Sequence, residues 1–193
     1  MDTEEWLPCI VSTFDLIGTR RQAASGKAST AMRLLQERAV WKMNHGMRNH
    51  SYCYVWNDSV LMLSYHSRPA VARRRVLAEL DECKQWLERE CTGKLYAICV
   101  KGLAFPQDEM PSPSVDGEMV GQARAVVLKT SSWAMANCFE IEKKLKHHRA
   151  DWYIDSRITT DVDVMPAFAA EEVRLLPSAE SRRVDMFRGN LFG

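Results

Sequence analysis

Two β-rich runs only four residues apart, 51–55 and 60–65, lie between two long stretches of helical periodicity, and a further apolar run flanks each stretch on its far side. That order limits the possible folds more than composition does. The first run, 7–15, is apolar almost without a break, as expected of a strand buried on both faces, and Gly18 ends it. Met32, Leu35, Ala39 and Met43 repeat at helical spacing and place a helix between 23 and 47. The short gap makes 51–55 and 60–65 a β-hairpin. Pro69 suits the first turn of a second helix, whose buried stripe is Val76, Leu80, Cys83 and Leu87 and whose end is Thr92-Gly93. Residues 95–103 read as the next strand, 106–121 as an exposed loop, and 125–128 as a short strand. Ser131 or Ser132 caps a third helix running to about His147, with Met135, Cys138, Glu142 and Leu145 on one side. Residues 152–158 close the regular core as a strand, and 173–176 add another.

The order β-α-β-β-α-β predicts an α+β fold with a ferredoxin-like split core, an antiparallel-rich sheet with helices packed on it. At 193 residues one domain, 1–193, is expected, with a core at 7–158 and a C-terminal extension at 159–193. In this topology the first strand is central and its C-terminal end lies beside the hairpin tip. Asp15, at that strand end, and Asp58, on that tip, are therefore brought together although 43 positions separate them. Two carboxylates at one point suit a hard divalent cation such as magnesium or manganese. Each also has a plainer reading: Asp15 as the cap of a turn or helix, Asp58 as a hairpin-turn residue.

The net charge of +1 predicts no bulk attraction to nucleic acid or membranes. No apolar run approaches the length of a membrane span, and the acidic start Met1-Asp2-Thr3-Glu4-Glu5 does not suit a signal peptide, so a soluble, cytoplasmic protein is expected. The six cysteines form no C-x-x-C pair and no zinc-like spacing, and read as small hydrophobes in a reducing compartment. His147-His148, between Lys146 and Arg149, reads as a basic helix end, and Arg73-Arg74-Arg75 as a solvated face. Trp41 and Trp86, near the helical stripes, read as core or interface residues.

Phe14-Asp15-Leu16-Ile17-Gly18-Thr19 resembles the motif that ends the first strand of class III nucleotide cyclase domains. Asn57-Asp58 stands where that family places its second metal aspartate, and Lys101-Gly102 where it has an arginine-glycine landmark. The segment 132–142 is similar to its third helix. The resemblance covers roughly 7–158, and the short form is most similar to the standalone pyrimidine cyclases of the Pycsar anti-phage systems. It implies a homodimer that converts UTP or CTP into the 3′,5′-cyclic monophosphate and pyrophosphate, with a separate effector sensing the product. Catalytic Asp15 and Asp58 would hold two Mg²⁺ or Mn²⁺ ions per site, with Leu16 adding a carbonyl ligand. Gly18, Thr19 and Arg20 would wrap the triphosphate.

The sequence also departs from the family. Tyr54 replaces the lysine that purine cyclases commonly carry four residues before the second aspartate. It reads either as part of a smaller, neutral base pocket that favours a pyrimidine, or as a packed strand residue. Lys129 or Thr130 approximates the other base-contacting position. On the third helix, Ala136 and Glu140 occupy the places of an Asn and an Arg that steady the transition state, leaving Lys143, Lys144, Arg157, Arg20 and Arg21 as candidate substitutes. Two other readings are a cyclase-like sensor or scaffold without chemistry, and another palm-type nucleotidyl enzyme such as a dinucleotide cyclase. The tip Trp56-Asn57-Asp58-Ser59 lacks the G-G-D/E-E-F-like pattern of the last.

Overall fold

The computed structural model describes residues 7–19, 24–25, 28–48, 52–65, 69–105, 131–144, 151–159, 169–174 and 183–189. In chain order its elements are β1 (Leu7–Leu16), α1 (Ala28–Gly46), β2 (Tyr52–Trp56), β3 (Ser59–Tyr65), α2 (Pro69–Cys91), β4 (Leu95–Phe105), β5 (Ser131–Ser132), α3 (Trp133–Lys144), β6 (Trp152–Asp155), α4 (Ser156–Thr159), β7 (Ala169–Arg174) and β8 (Arg183–Gly189). The strands form one sheet in the order β2-β3-β1-β4-β6-β8-β7, with β5 paired to β4. The run β2-β3-β1-β4 is antiparallel throughout and is the expected ferredoxin-like core. Beyond it, β6 joins β4 in parallel, and β8 and β7 continue antiparallel.

Alternation along the strands divides the apolar side chains between two faces. Ile10 and Phe14 of β1, with Val60, Met62, Ala97 and Cys99, pack under α1 and α2, which contribute Leu35, Ala39, Val76, Leu80, Cys83 and Leu87. The stripes expected of both helices are thus the buried ones. Cys9 and Val11 of β1, with Leu61, Tyr96 and Ile98, face the other way and meet Ala134, Cys138 and Ile141 of α3. Trp41 and Trp86 stack with ring centroids 5.4 Å apart at the α1–α2 surface, where Trp41 is exposed.

Helix α3 is rotated from its expected setting: Ala134, Cys138 and Ile141 are buried, while Met135 and Glu142 are half-buried. Gly102 is the physical reason. A Cβ there would lie 2.8 Å from the Ala134 Cβ and 3.0 Å from the Ala134 nitrogen, so only glycine lets the helix seat this closely on β4. Ser132 caps the helix, its Oγ accepting the Met135 backbone N–H at 3.2 Å.

The expected strand over 152–158 ends at Asp155 instead, and the chain turns into α4. Asp155 is fully buried and accepts the backbone N–H of Arg157 at 2.9 Å and of Lys101 at 3.1 Å. The Arg157 guanidinium also donates to Asp155 and, through Nη2, to the Lys101 carbonyl at 2.8 Å. A buried carboxylate that accepts the amide two residues on stops the ladder and starts a helical turn.

All six cysteines are free, and five are buried. Burial raises their thiols, Cys53 to about 12 and Cys9 to about 11, where a Ser132 hydrogen bond partly offsets it. Such thiols stay protonated at neutral pH and act as small hydrophobes. No helix among the described residues is long and apolar enough to cross a membrane. The expected loop at 106–121, the short strand at 125–128 and His147-His148 lie outside the described residues.

Candidate active site

The last turn of β1 is tied to its neighbours on both sides. The Leu16 amide donates to the Asp58 carbonyl at 3.1 Å, and the Ile17 amide to the Lys94 carbonyl at 2.9 Å. Gly18 then takes φ +85°, a left-handed turn that glycine adopts without Cβ strain. The β2–β3 hairpin closes over Asn57-Asp58, two residues rather than the expected four, because pairing extends to Trp56 and Ser59. Asn57 sits at φ 51°, a region that Asn tolerates better than most residues. Its carbonyl accepts Gln36 Nε2 of α1 at 2.7 Å, so a helix pins the hairpin tip.

This framework places Asp15 and Asp58 side by side. Asp15 pairs across the sheet with Ser59 on β3 and Tyr96 on β4. Ser59 Oγ donates to Asp15 Oδ1 at 2.5 Å, and Thr19 Oγ1 donates to Asp58 Oδ2. Each carboxylate is therefore oriented by a hydroxyl, that of Asp58 by Thr19. Leu16 ends β1 with its side chain in the core under α1 and α2. Tyr54 is only 7% exposed and packs on the Asp15 face, one row deeper, opposite Leu61, which in turn pairs with Thr13. Arg20, Arg21, Lys129 and Thr130 lie outside the described residues.

Two further groups at the site escaped the sequence reading. Tyr96 stands opposite Asp15 on the neighbouring strand, and Glu142 lies near the end of α3. Burial first, then the charge of Asp15, raises the Glu142 carboxyl above its ordinary value; Asp58 adds to the rise, and Tyr96 and Lys143 oppose it. Burial, then the charges of Asp15 and Glu142, likewise push the Tyr96 phenol up, with the charge of Asp58 adding to this. The charges of Asp15 and Asp58 thus both bear on Glu142 and on Tyr96. The available signal was Glu142 itself, a charged residue on an otherwise apolar helical stripe.

An oxygen-rich corner of two carboxylates suits a hard cation. Among the described residues no three of His, Cys, Asp and Glu form a metal cage. A cation would rest on Asp15 and Asp58 and complete its shell with water, backbone oxygens and substrate phosphate, as magnesium does in phosphate-transfer sites.

Two of the candidate cations, Lys143 and Arg157, have carboxylate partners of their own. Lys143 pairs with Glu140 at 2.7 Å. Arg157 is engaged with Asp155 and the Lys101 carbonyl, and Lys101 pairs with Ile10, about 17 Å along β1 from Asp15 at strand spacing.

No protein-family profile and no curated protein matches the sequence. Solved structures do match. The guanylyl cyclase Cya2 aligns with a TM-score of 0.60 at 13% identity, over 96% of this chain and 92% of that one. The adenylyl cyclase CyaB from P. aeruginosa aligns at 0.56 and 10% identity, over 95% and 94%. The fold is that of a nucleotide cyclase domain. A rhodopsin-guanylyl cyclase catalytic core with converted specificity, solved with ATPαS, aligns at 0.51 and 10% identity over 97% of both chains. Within this fold, Asp15 lies near the end of β1 and Asp58 at the tip of the neighbouring β2–β3 hairpin.

Behind Asp15, one row along β1, Thr13 is 4% exposed and its Oγ1 has no hydrogen-bond partner among the described residues. A buried hydroxyl without a partner costs about 1–3 kcal/mol. Thr13→Val, which keeps the volume, should raise stability by about 1 kcal/mol, read as a melting-temperature rise of about 2–4 °C.

Proposed function

We propose that this chain is a pyrimidine nucleotide cyclase that converts UTP or CTP into the 3′,5′-cyclic monophosphate. The observation that carries the reading is the meeting of Asp15 and Asp58, each oriented by a hydroxyl, within a cyclase fold. In the reaction the ribose 3′-oxygen bonds to the α-phosphorus, the bond from that phosphorus to the α–β bridging oxygen breaks, and pyrophosphate leaves with the electron pair. The 3′-hydroxyl proton passes to water. Asp15 and Asp58 would hold two Mg²⁺ or Mn²⁺ ions, with the Leu16 carbonyl as a further ligand. Bound there, the cations supply Lewis acidity towards the attacking and leaving oxygens. Gly18, Thr19 and Arg20 would meet the triphosphate.

Tyr54 supports a pyrimidine. A large neutral ring on the Asp15 face, where purine cyclases commonly carry a lysine, narrows the space and removes a fixed cation. Lys129 is the proposed second base contact. The resemblance further supports one domain spanning 1–193, a homodimer, a cytoplasmic setting, and an anti-phage signal read by a separate effector. A second reading, a scaffold without turnover, is favoured by Ala136 and Glu140 on α3 and by the pairing of Lys143 with Glu140 and of Arg157 with Asp155.

Incubation with UTP, CTP, ATP or GTP and Mn²⁺, with products resolved by mass, separates the readings. A cyclic pyrimidine monophosphate supports the proposal. A cyclic purine product corrects the substrate, and no cyclic product with any of the four leaves the scaffold.

A further inference from the structure

The two hydroxyls at the site cross over. Ser59, next to Asp58 on the hairpin, donates to Asp15, its cross-strand partner, with Oγ and Oδ1 2.5 Å apart. Thr19, on the turn beyond Asp15, donates to Asp58 Oδ2. Each carboxylate is thus held by the segment that carries the other one. The backbone adds a further tie, from the Leu16 amide to the Asp58 carbonyl. Thr19 is 8% exposed although Gly18 before it is exposed, so its hydroxyl is folded in towards Asp58. A hydroxyl bond to an ionised carboxylate is charge-assisted, roughly twice as strong as a neutral one. Each hydroxyl engages one oxygen of its carboxylate. Turning both oxygens of either carboxylate onto a single cation would pull that oxygen away from its hydroxyl.

We infer that Ser59 and Thr19 are positioning residues that set the cation selectivity of the site, by holding Asp15 and Asp58 to ligation through one oxygen each. The inference rests on the reading of both acids as cation ligands. Magnesium and manganese take near-octahedral shells, which one oxygen from each carboxylate serves. Calcium takes about six to eight oxygens at longer distances and commonly draws on both oxygens of a carboxylate. The crossed hydroxyls therefore favour the smaller ions, because the two-oxygen mode of calcium breaks a charge-assisted bond. A serine that only closes the hairpin end would affect stability and leave the preference among cations unchanged.

The test is Mn²⁺ binding to the full chain without nucleotide, followed by the electron paramagnetic resonance signal of free Mn²⁺, with Ca²⁺ as competitor. Ser59→Ala should lower the ratio of Mn²⁺ to Ca²⁺ affinity by about 10-fold or more. Ser59→Thr keeps the hydroxyl on a residue suited to a strand and should retain the wild-type ratio. Thr19→Val should lower the ratio through Asp58, and it carries the same test should Ser59→Ala not fold, which thermal unfolding checks. An unchanged ratio in Ser59→Ala overturns the inference, and equal weakening of both cations is that result. A Ser59→Thr variant that loses the preference as Ser59→Ala does also overturns it. An unchanged ratio in Thr19→Val overturns the part given to Thr19. Asp15→Ala separates the two levels: if it binds Mn²⁺ as the wild type does, the cation reading of Asp15 is what fails.

Discussion

Asp15→Ala and Asp58→Ala should each lower cyclic nucleotide formation by about 10³-fold or more. Cation-assisted charge stabilisation is worth several kcal/mol in a transition state, and each ~1.4 kcal/mol is a factor of ten in rate. Stability should move differently. The charge of Asp15 opposes ionisation of Glu142 after burial has already done so, so the native state holds carboxylates that repel one another. Asp15→Asn retains an acceptor for Ser59 and removes one of those charges. It should therefore abolish turnover while leaving the melting temperature unchanged or slightly raised.

The pH dependence follows from the same repulsion. Glu142 has a folded-state pKa above its ordinary value of 4.5. Its protonated form therefore favours the fold, and that contribution is present below the unfolded value and lost as pH rises through the folded one. Asp15→Asn should shrink this loss, because the second-largest cause of the shift is gone. A variant that unfolds as it loses activity would instead mark Asp15 as a structural cap.

Gly102→Ala should be the most damaging small substitution away from the carboxylates. The new Cβ would lie 2.8 Å from the Ala134 Cβ, 3.0 Å from its nitrogen and 3.1 Å from its Cα, and none of these is a flexible side-chain end. Relief requires α3 to lift off β4. Overpacking of this kind costs about 1–3 kcal/mol, and the upper end is expected because backbone has to move. Ala134→Gly removes the closest of the three contacts, so the double variant should recover part of the loss in chemical denaturation.

The core of the fold was legible because its signals are local and periodic. Val76, Leu80, Cys83 and Leu87 mark a buried stripe without reference to the rest of the chain, and the short gap before Val60 forces a hairpin. Once β1 is central, the meeting of Asp15 and Asp58 follows from topology. What stayed hidden depends on long-range packing. Tyr96 reads as one more residue of an apolar strand until β1 is known to set it opposite Asp15. The rotation of α3 depends on the missing Cβ of Gly102 on another element, which moved the buried stripe to Ala134, Cys138 and Ile141. Asp155 ends β6 only because the Lys101 amide and Arg157 converge on it. The stretch expected as a strand at 173–176 lies at Ala169–Arg174, and its partner Arg183–Gly189 was not foreseen, since Arg-Val-Asp-Met-Phe-Arg-Gly has no clean alternation.

The central claim is a cyclase fold turned to pyrimidines by a neutral ring at Tyr54. An equimolar mixture of UTP, CTP, ATP and GTP, incubated with the protein and Mn²⁺ and resolved by mass, tests it most directly. The account predicts one cyclic pyrimidine monophosphate, with pyrophosphate in equal amount, formed in excess over any cyclic purine. A cyclic purine as the main product, or release of pyrophosphate without any cyclic nucleotide, would contradict it.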